Sequence, residues 1–137
     1  MTVNLTKNGL REIANSFDLF YIDIWGVLHN GIKLNQDAVD VLFQLEKLGK
    51  KYVLLTNAPR PNSDVVKFLE KLGLDNIKSS KVYTSGQCSL NYLSNEKKNL
   101  KFFHLGPERD MNLFKNFKSL KQNKVEEADY IICTGLF

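Results

Sequence analysis

Asp23 is the residue of this chain whose type and position best suit it to chemistry. It ends the apolar run 19–22, whose β-branched and aromatic residues are typical of a buried parallel strand, and Gly26 follows three positions later. A carboxylate at the carboxyl end of such a strand lies where open α/β sheets bind their ligands. There it can act as a nucleophile, as a metal ligand, or only as a turn residue, because aspartate before glycine is common in turns.

Thr56 and Asn57 follow a second apolar run, 52–55, and make the Asp23 pattern more specific. A hydroxyl and backbone N–H groups beside a carboxylate form a pocket for an anionic oxygen, and a helix N-terminus nearby strengthens it. An aspartate beside a bound phosphate needs a cation to offset their repulsion, and Mg²⁺ is the cofactor implied. The two strand ends therefore indicate a phosphate site.

The apolar periodicity and the chain breakers predict strands and helices that alternate along the chain. The predicted elements are a helix at 5–17, the strand ending at Asp23, a loop at 25–34, a helix from the N-cap Asn35 through Ala38, Val41, Leu42, Leu45 and Leu48 to Gly49, a strand at 52–55, a helix capped by Asn62 or Ser63 and closed by Gly73, a strand at 82–83, a helix to about Ser94, a strand at 101–105, a basic helix, and a strand at 130–133.

This alternation with short loops predicts an α/β fold, a Rossmann-like parallel sheet with helices on both faces. The carboxyl ends of parallel strands meet at one edge of the sheet, which we call the polar edge. Its predicted members are Asp23, Thr56, Asn57, Thr84, Ser85, Gly86, Gly106, Thr134 and Gly135.

The bulk properties are those of one ordinary globular domain. The chain has 137 residues, 43% of them hydrophobic and 25% charged, with a formal net charge of +4. Its lysines are mostly scattered, which indicates solubility and no nucleic-acid partner. The concentrated set is interpreted as the solvated face of one helix; it comprises Lys115, Lys118, Lys121 and Lys124.

No apolar stretch is long enough for a signal peptide or a membrane span. The two cysteines, Cys88 and Cys133, lack metal-like spacing. Cys133 lies in an apolar run and is predicted to be a core residue. These features predict a reduced, cytoplasmic setting without membrane contact.

Four blocks of sequence, in order, resemble hydrolases of the haloacid dehalogenase superfamily over nearly the whole chain. They are Asp23-Ile-Trp-Gly-Val-Leu-His-Asn-Gly31, Leu55-Thr-Asn-Ala-Pro-Arg60, Tyr83-Thr-Ser-Gly86 and Phe103-His-Leu-Gly-Pro-Glu-Arg-Asp110. The similarity is to subclass IIA, which includes the nucleotide-sugar-operon and p-nitrophenyl phosphatases, and within it to an uncharacterised bacterial branch with tryptophan in its first motif.

The resemblance implies a magnesium-dependent phosphatase acting on a small phosphorylated metabolite. Asp23 would attack phosphorus to give an aspartyl-phosphate, and would ligate Mg²⁺ together with the backbone carbonyl of Trp25. The Thr56 hydroxyl would bind the transferring phosphoryl group with support from Asn57. The N–H groups of Trp25 and Gly26 would face the phosphate oxygens.

Trp25 departs from the family pattern, because phosphatases of this family have a second aspartate at that position for general acid–base catalysis. Such catalysis is typically worth ~10²–10⁴ in rate, so activity should be reduced. His29 is the nearby titratable candidate, and it is interpreted as a loop residue with a local hydrogen bond. Arg60 and Ser85 lie near the polar edge and are candidate substrate contacts, Arg60 being the one assigned to substrate binding.

The position of Phe137 suggests a second departure, since in this subclass a substrate-capping domain would begin there. A phosphate-neutralising lysine and a Gly-Asp motif would follow the cap. The interpretation is that residues 1–137 are the N-terminal portion of a haloacid dehalogenase-like core, with the cap and the C-terminal core missing, and weak or inactive alone.

Two alternatives remain open from the sequence. The first is a non-catalytic phosphate-binding homologue, which the loss of the acid–base group at Trp25 favours. The second is a metal-independent dehalogenase-type hydrolase, because such enzymes place an aromatic residue at that position. A Rossmann-type dinucleotide site is disfavoured, since no strand is followed by Gly-x-Gly-x-x-Gly.

Overall fold

A computed structural model describes residues 9–135, and its strands and α-helices alternate as predicted up to residue 105. In chain order they are β1 (Leu19–Asp23), α1 (Gln36–Lys47), β2 (Lys51–Thr56), α2 (Asn62–Lys71), β3 (Val82–Thr84), α3 (Ser85–Glu96), β4 (Phe102–Leu105), β5 (Lys121–Gln122) and β6 (Tyr130–Cys133). Every described strand pair is parallel. The predicted parallel α/β class is therefore confirmed.

The strands form two three-stranded sheets where one continuous sheet was predicted. The first has the order β1-β2-β3 and the second the order β5-β4-β6. In the first sheet the register pairs Asp23 with Leu55 and Thr56 with Thr84. The carboxyl ends of its strands are therefore level, and they form the polar edge predicted for Asp23 and Thr56.

Helices α1 and α2 pack on one face of the first sheet and bury the larger core. Leu54 on the central strand and Leu69 on α2 are both fully buried. The buried members of this cluster are Ala14, Ile24, Leu28, Val39, Leu42, Leu45, Tyr52, Leu54, Val65, Val66, Leu69, Leu74 and Val82. Burial of each large aliphatic side chain contributes about 1.5–3 kcal/mol, so this cluster fixes the strands that carry the site.

The opposite face of the first sheet is open among the described residues. Leu19, Tyr21, Leu55 and Tyr83 are 42%, 66%, 37% and 39% exposed. The prediction that residues 19–22 form a buried strand was therefore wrong, because β1 is an edge strand and the described helices α1 and α2 cover only its other face.

The end of α1 explains how the chain turns into β2. Gly49 has φ +68°, and its N–H donates to the Glu46 carbonyl at 2.9 Å while the Lys50 N–H donates to the Leu45 carbonyl at 2.9 Å. This pair of bonds closes a helix with a left-handed glycine, as the sequence predicted. Leu48, predicted in the apolar stripe, is 54% exposed, since it stands at the helix cap.

The helix starts differ from prediction in one case. Asn35 is the N-cap of α1, without a side-chain capping bond. Pro61 is the N-cap of α2, where Asn62 or Ser63 was predicted. The Asn62 side chain is used elsewhere, since its Oδ1 accepts the N–H of Thr84 at 3.0 Å.

The predicted first helix was wrong where the structure describes it. Residues Gly9–Glu12 and Ala14–Ser16 are short 3₁₀ turns, while its part before residue 9 lies outside the described residues. Among the described helices, none is both long enough and apolar enough to cross a membrane.

The predicted basic helix is a 3₁₀ run, Glu108–Leu120, interrupted at Phe114 (φ −98°, ψ 17°). Lys118 belongs to this run, but Lys121 begins β5 and Lys124 lies beyond it. The lysines therefore do not share one helix face. A reason is that the Phe114 side chain is fully buried in the smaller core, which draws the chain inward in the middle of the run.

Cys133 is exposed, so its predicted place in the core was wrong. Residues alternate between half-buried and exposed along β6, and Ile131 and Cys133 lie on the open side. The residues buried in the smaller core are Leu93, Phe102, Leu113 and Phe114.

Candidate active site

Asp23 and Thr56 line one cavity, which we call the edge cleft, of about 710 Å³. Asp23 ends β1 and Thr56 ends the adjacent β2, one residue beyond the partner of Asp23 in the register. The Asp23 side chain is exposed, and Thr56 is half-buried. The other residues that line the edge cleft are Trp25, Leu55, Asn57, Ala58, Tyr83, Thr84, Ser85 and Cys88.

The Thr56 hydroxyl is oriented by the loop that follows it. Its Oγ1 accepts the N–H of Ala58 at 3.2 Å. A hydroxyl that accepts one bond keeps its own proton as a donor. Thr56 can therefore donate to an anionic oxygen in the edge cleft, and its contact with a phosphoryl group stays a prediction.

Ser85 anchors the loop of Asn57 and Ala58 to the start of α3. Its hydroxyl lies 2.8 Å from the Asn57 carbonyl oxygen and 3.1 Å from that of Ala58. The N–H of Gly86 also donates to the Ala58 carbonyl, at 3.1 Å. The single hydroxyl proton of Ser85 is thus committed to the backbone, which leaves Ser85 a positioning role in the loop.

Arg60 is placed by an unusually close backbone contact. A Cβ atom at Gly86 would lie 2.3 Å from the Arg60 backbone nitrogen. The buried Thr84 hydroxyl donates to the Arg60 carbonyl. The glycine after β3 hinted at a close approach, but the sequence did not indicate that Arg60 is its neighbour.

The Trp25 side chain forms a wall of the cleft. It is 63% exposed, and a Cβ atom at Gly31, whose φ is +92°, would lie 2.8 Å from the indole Cη2. The His29 ring meets the indole edge-to-face at 5.3 Å between centroids, and Phe68 meets His29 at 5.2 Å. The sequence placed Gly31 in this loop without indicating its contact with Trp25, and it did not identify Phe68, because both roles depend on contacts across the loop and with α2.

His29 is 5% exposed, and its Nδ1 accepts the N–H of Gly31 at 2.9 Å. The ring proton of neutral His29 therefore resides on Nε2. Burial lowers the pKa of His29 from its usual value, which keeps the ring neutral at pH 7. The predicted local hydrogen bond is confirmed, and this buried neutral ring is poorly suited to replace the missing acid.

Gly26 does not present its amide to the edge cleft. Its N–H donates to the His29 carbonyl at 2.8 Å. This bond argues against the phosphate contact predicted for Gly26. For Trp25, no hydrogen bond to the backbone N–H or carbonyl is found within residues 9–135, so both remain candidates for the roles predicted from the sequence.

A magnesium ion fits the donors of the edge cleft only in part. Asp23 offers an exposed carboxylate, and Trp25 a backbone carbonyl close to it in sequence. Mg²⁺ commonly binds one or two carboxylates together with substrate phosphate and water. Within residues 9–135 no group of three His, Cys, Asp or Glu side chains could hold a metal alone. Any Mg²⁺ here would thus be shared with the phosphate.

His104 lies on β4 of the second sheet, far in sequence from Asp23 and Thr56. Its Nε2 is 2.8 Å from the Thr134 hydroxyl. Burial, and secondarily the charge of Lys121, lowers the pKa of His104, while Asp110 opposes this shift. His104 is half-buried and hydrogen-bonded.

The solved structures that are similar to this chain include the following three. A haloacid dehalogenase-like hydrolase from Brucella suis has 28% identity and a TM-score of 0.77, with 93% of this chain and 48% of that chain covered. A 4-nitrophenylphosphatase from Thermotoga maritima has 21% identity and a TM-score of 0.70, with 88% and 46% covered.

A glycerol phosphate phosphatase from Mycobacterium tuberculosis in complex with magnesium has 24% identity and a TM-score of 0.65, with 90% and 37% covered. The chain thus spans less than half the length of each of these three structures. No curated protein is similar enough to this chain to count as a match.

The profile of a protein family matches residues 20–118, which is most of the chain and includes Asp23, Thr56 and Arg60. That family is described as haloacid dehalogenase-like hydrolase. The structural similarity, the parallel α/β fold and the aspartate at the carboxyl end of β1 agree with this match. The chain belongs to the haloacid dehalogenase-like hydrolase family.

Proposed function

We propose that this chain carries the nucleophile half of a magnesium-dependent phosphatase that acts on a small phosphorylated metabolite. The observation that carries the proposal is that Asp23 and Thr56, on adjacent parallel strands, line one cleft. Similar structures include a 4-nitrophenylphosphatase and a glycerol phosphate phosphatase solved with magnesium. The activity of the whole protein, its subclass IIA assignment and its metal are parts of this proposal.

Asp23 attacks phosphorus, and the bond from phosphorus to the ester oxygen breaks. An aspartyl-phosphate forms, and water then hydrolyses it to inorganic phosphate and free Asp23. The Thr56 hydroxyl donates to a phosphoryl oxygen, supported by the loop that Ala58 and Ser85 hold. Asp23 and the Trp25 carbonyl would hold Mg²⁺, which would supply positive charge to offset the repulsion between the carboxylate and the phosphate.

Trp25 determines which esters react well. An indole cannot protonate a departing alkoxide, and His29 is neutral with its Nδ1 occupied. Esters of acidic alcohols such as 4-nitrophenol leave without a proton, whereas alkyl phosphates need one. We expect turnover of 4-nitrophenyl phosphate to exceed that of glycerol phosphate by about 10²-fold or more, the usual size of general acid catalysis.

The deciding experiment measures phosphate release from 4-nitrophenyl phosphate by the full-length protein, with Mg²⁺ and with EDTA. Asp23→Asn should abolish release while the circular dichroism spectrum stays unchanged. Asp75 is an exposed aspartate outside the edge cleft, so Asp75→Asn is the matched control and should retain release. Release that persists in Asp23→Asn would contradict the proposal.

Trp25→Asp supplies the missing acid and should raise turnover, more for glycerol phosphate than for 4-nitrophenyl phosphate. Equal rates on both esters in the wild type would mean that another group donates the proton.

A non-catalytic phosphate-binding protein is the second candidate, and Trp25 is the observation that favours it. It predicts that phosphate esters bind in the edge cleft with no release in either metal condition. The dehalogenase-type hydrolase predicts halide release from a haloacid in EDTA, with no phosphate released. Mg²⁺ dependence therefore separates these candidates.

A further inference from the structure

A second cavity adjoins the edge cleft. It has a volume of about 460 Å³, within the usual range of small-molecule sites, and we call it the arginine cleft. The two cavities share Trp25, Thr56 and Ala58 as lining residues. A ligand whose phosphate binds near Thr56 can therefore extend past the indole into the arginine cleft.

The arginine cleft lies between the two sheets. One wall comes from the loop after β2, with Arg60, and from Phe68 of α2. The other wall comes from the start of the 3₁₀ run after β4, with Arg109 and Asp110, and from Thr134 after β6. Its residues thus come from distant parts of the sequence.

Charge is the distinctive property of this cleft. Two of the three arginines in the chain, Arg60 and Arg109, line it, and Arg11 is the third. Both cleft arginines are exposed, and within residues 9–135 neither forms an ion pair. Asp110, which is 5% exposed, also lines the cleft. Two arginines against one aspartate leave a net positive charge.

Guanidinium groups suit this position for anion binding. Each offers a planar fork of N–H donors that matches a carboxylate or phosphate bidentately. Trp25 and Phe68 add apolar surface beside them. The cleft therefore combines apolar surface for a short carbon skeleton with two arginines among its lining residues.

We infer that the arginine cleft is a subsite for a second anionic group, a carboxylate or phosphate, carried by the leaving group of the phosphate ester. This inference rests on the proposed function, and it names the substrate class as a small ester with two anionic groups. Arg109 is then a specificity-determining residue, because it reaches the site from the second sheet.

The chain has a single tryptophan, Trp25, which lines both cavities and makes its intrinsic fluorescence a direct probe. The full chain with Mg²⁺ would be titrated with 3-phosphoglycerate and with glycerol 3-phosphate. These esters share the phosphate and the three-carbon skeleton and differ in one carboxylate. We expect 3-phosphoglycerate to bind about tenfold more tightly, as a charge-assisted hydrogen bond provides.

Arg109→Gln should weaken the binding of 3-phosphoglycerate about tenfold and so remove this preference. Arg11→Gln removes an arginine outside the cleft and should keep the preference. If Arg109→Gln alters the circular dichroism spectrum, Arg109→Lys serves instead, and should retain the charge but weaken the preference.

Each other outcome overturns a defined part of the inference. Equal binding of both esters by the wild type overturns the subsite and leaves the proposed function standing. Absence of binding for both esters and for inorganic phosphate overturns both. Glycerate that binds as tightly as 3-phosphoglycerate would show an anion site independent of the substrate, and also overturns the inference.

Discussion

The two sheets of this molecule are built in different ways. Strands β1 and β2 pair over five positions, and α1 and α2, of 12 and 10 residues, cover one face with a large apolar cluster. In the second sheet β5 has two residues, and the connection before it is a 3₁₀ run. Long, regular elements carry the edge cleft, while short and irregular ones supply the far wall of the arginine cleft.

This difference separates two properties of the site. The proposed nucleophile, Asp23, depends on the first sheet, whose core is extensive, whereas Arg109 belongs to the 3₁₀ run of the second sheet. Segments with few buried apolar contacts open locally at lower free-energy cost. We therefore expect changes in the first sheet to affect global stability, and changes in the second to affect ligand preference.

The largest expected effect is that of Leu54→Ala. Leu54 is fully buried on the central strand of the first sheet, and truncation of a buried leucine costs ~2–5 kcal/mol in free energy of unfolding. Urea denaturation followed by circular dichroism measures the loss. The adjacent Leu55→Ala is the control, because Leu55 is 37% exposed and should cost well under half as much. Similar losses would contradict the assignment of the core to one face.

Gly86→Ala should come next. Its Cβ atom would lie 2.3 Å from the Arg60 nitrogen, so the loop after β2 must shift. Overpacking of this kind costs ~1–3 kcal/mol. Gly135→Ala is the matched control in the second region, since the nearest atom to its Cβ would be 4.0 Å away. Thermal unfolding measures both variants. An unchanged melting temperature in Gly86→Ala would show that the loop after β2 can shift without cost.

His29 should make the stability of the protein depend on pH. Burial lowers the pKa of His29 in the folded state. Its contribution to stability is therefore present above the unfolded pKa, and it is lost as the pH falls through the folded value. We expect the urea concentration at the midpoint of unfolding to decrease as the pH is lowered from about 7.5 to about 5.5, a range that includes the ordinary histidine pKa.

His29→Gln should flatten this dependence. Because His104 in the second region also has a lowered pKa, His104→Gln is the companion variant that separates the two contributions. An identical pH profile in His29→Gln and the wild type would exclude His29 as the source.

The smallest expected effect is that of Glu46→Gln. The Lys81 ammonium bonds to Glu46 Oε1, and the Tyr52 hydroxyl donates to the same oxygen at 3.0 Å. These bonds, that from Lys81 first, lower the pKa of Glu46, so its contribution is present above the unfolded pKa and is lost as the pH falls below it. The Lys81 and Glu46 side chains are 31% and 44% exposed, so solvent screens the pair and we expect a loss of ~0.2–1 kcal/mol at neutral pH. Glu70→Gln, exposed on α2, is the control in urea denaturation.

The sequence was sufficient for the parts of the fold that local patterns determine. Alternating apolar residues and the glycine at 49 gave β1, α1 and β2 closely, and the strand ends placed Asp23 beside Thr56. The division into two sheets was not predictable in this way, because each strand pairs with distant segments.

The rest of the site depends on contacts that sequence patterns do not carry. Arg109 lines the same cleft as Arg60 only because the fold places the second sheet beside the first. Gly31 can approach Trp25, and Gly86 can approach Arg60, because glycine has no Cβ atom that would collide with them. Such close approaches become visible only once both backbones are placed.

The open face of the first sheet has a consequence for the behaviour of the protein in solution. Leu19, Tyr21, Leu55 and Tyr83 form an apolar surface on a chain with a net charge of +4. At low ionic strength the common positive charge keeps copies apart. In 0.1 M salt the Debye length is about 10 Å, so this repulsion acts only at short range and the apolar attraction dominates. The colloidal stability of the chain should therefore decrease as salt is added.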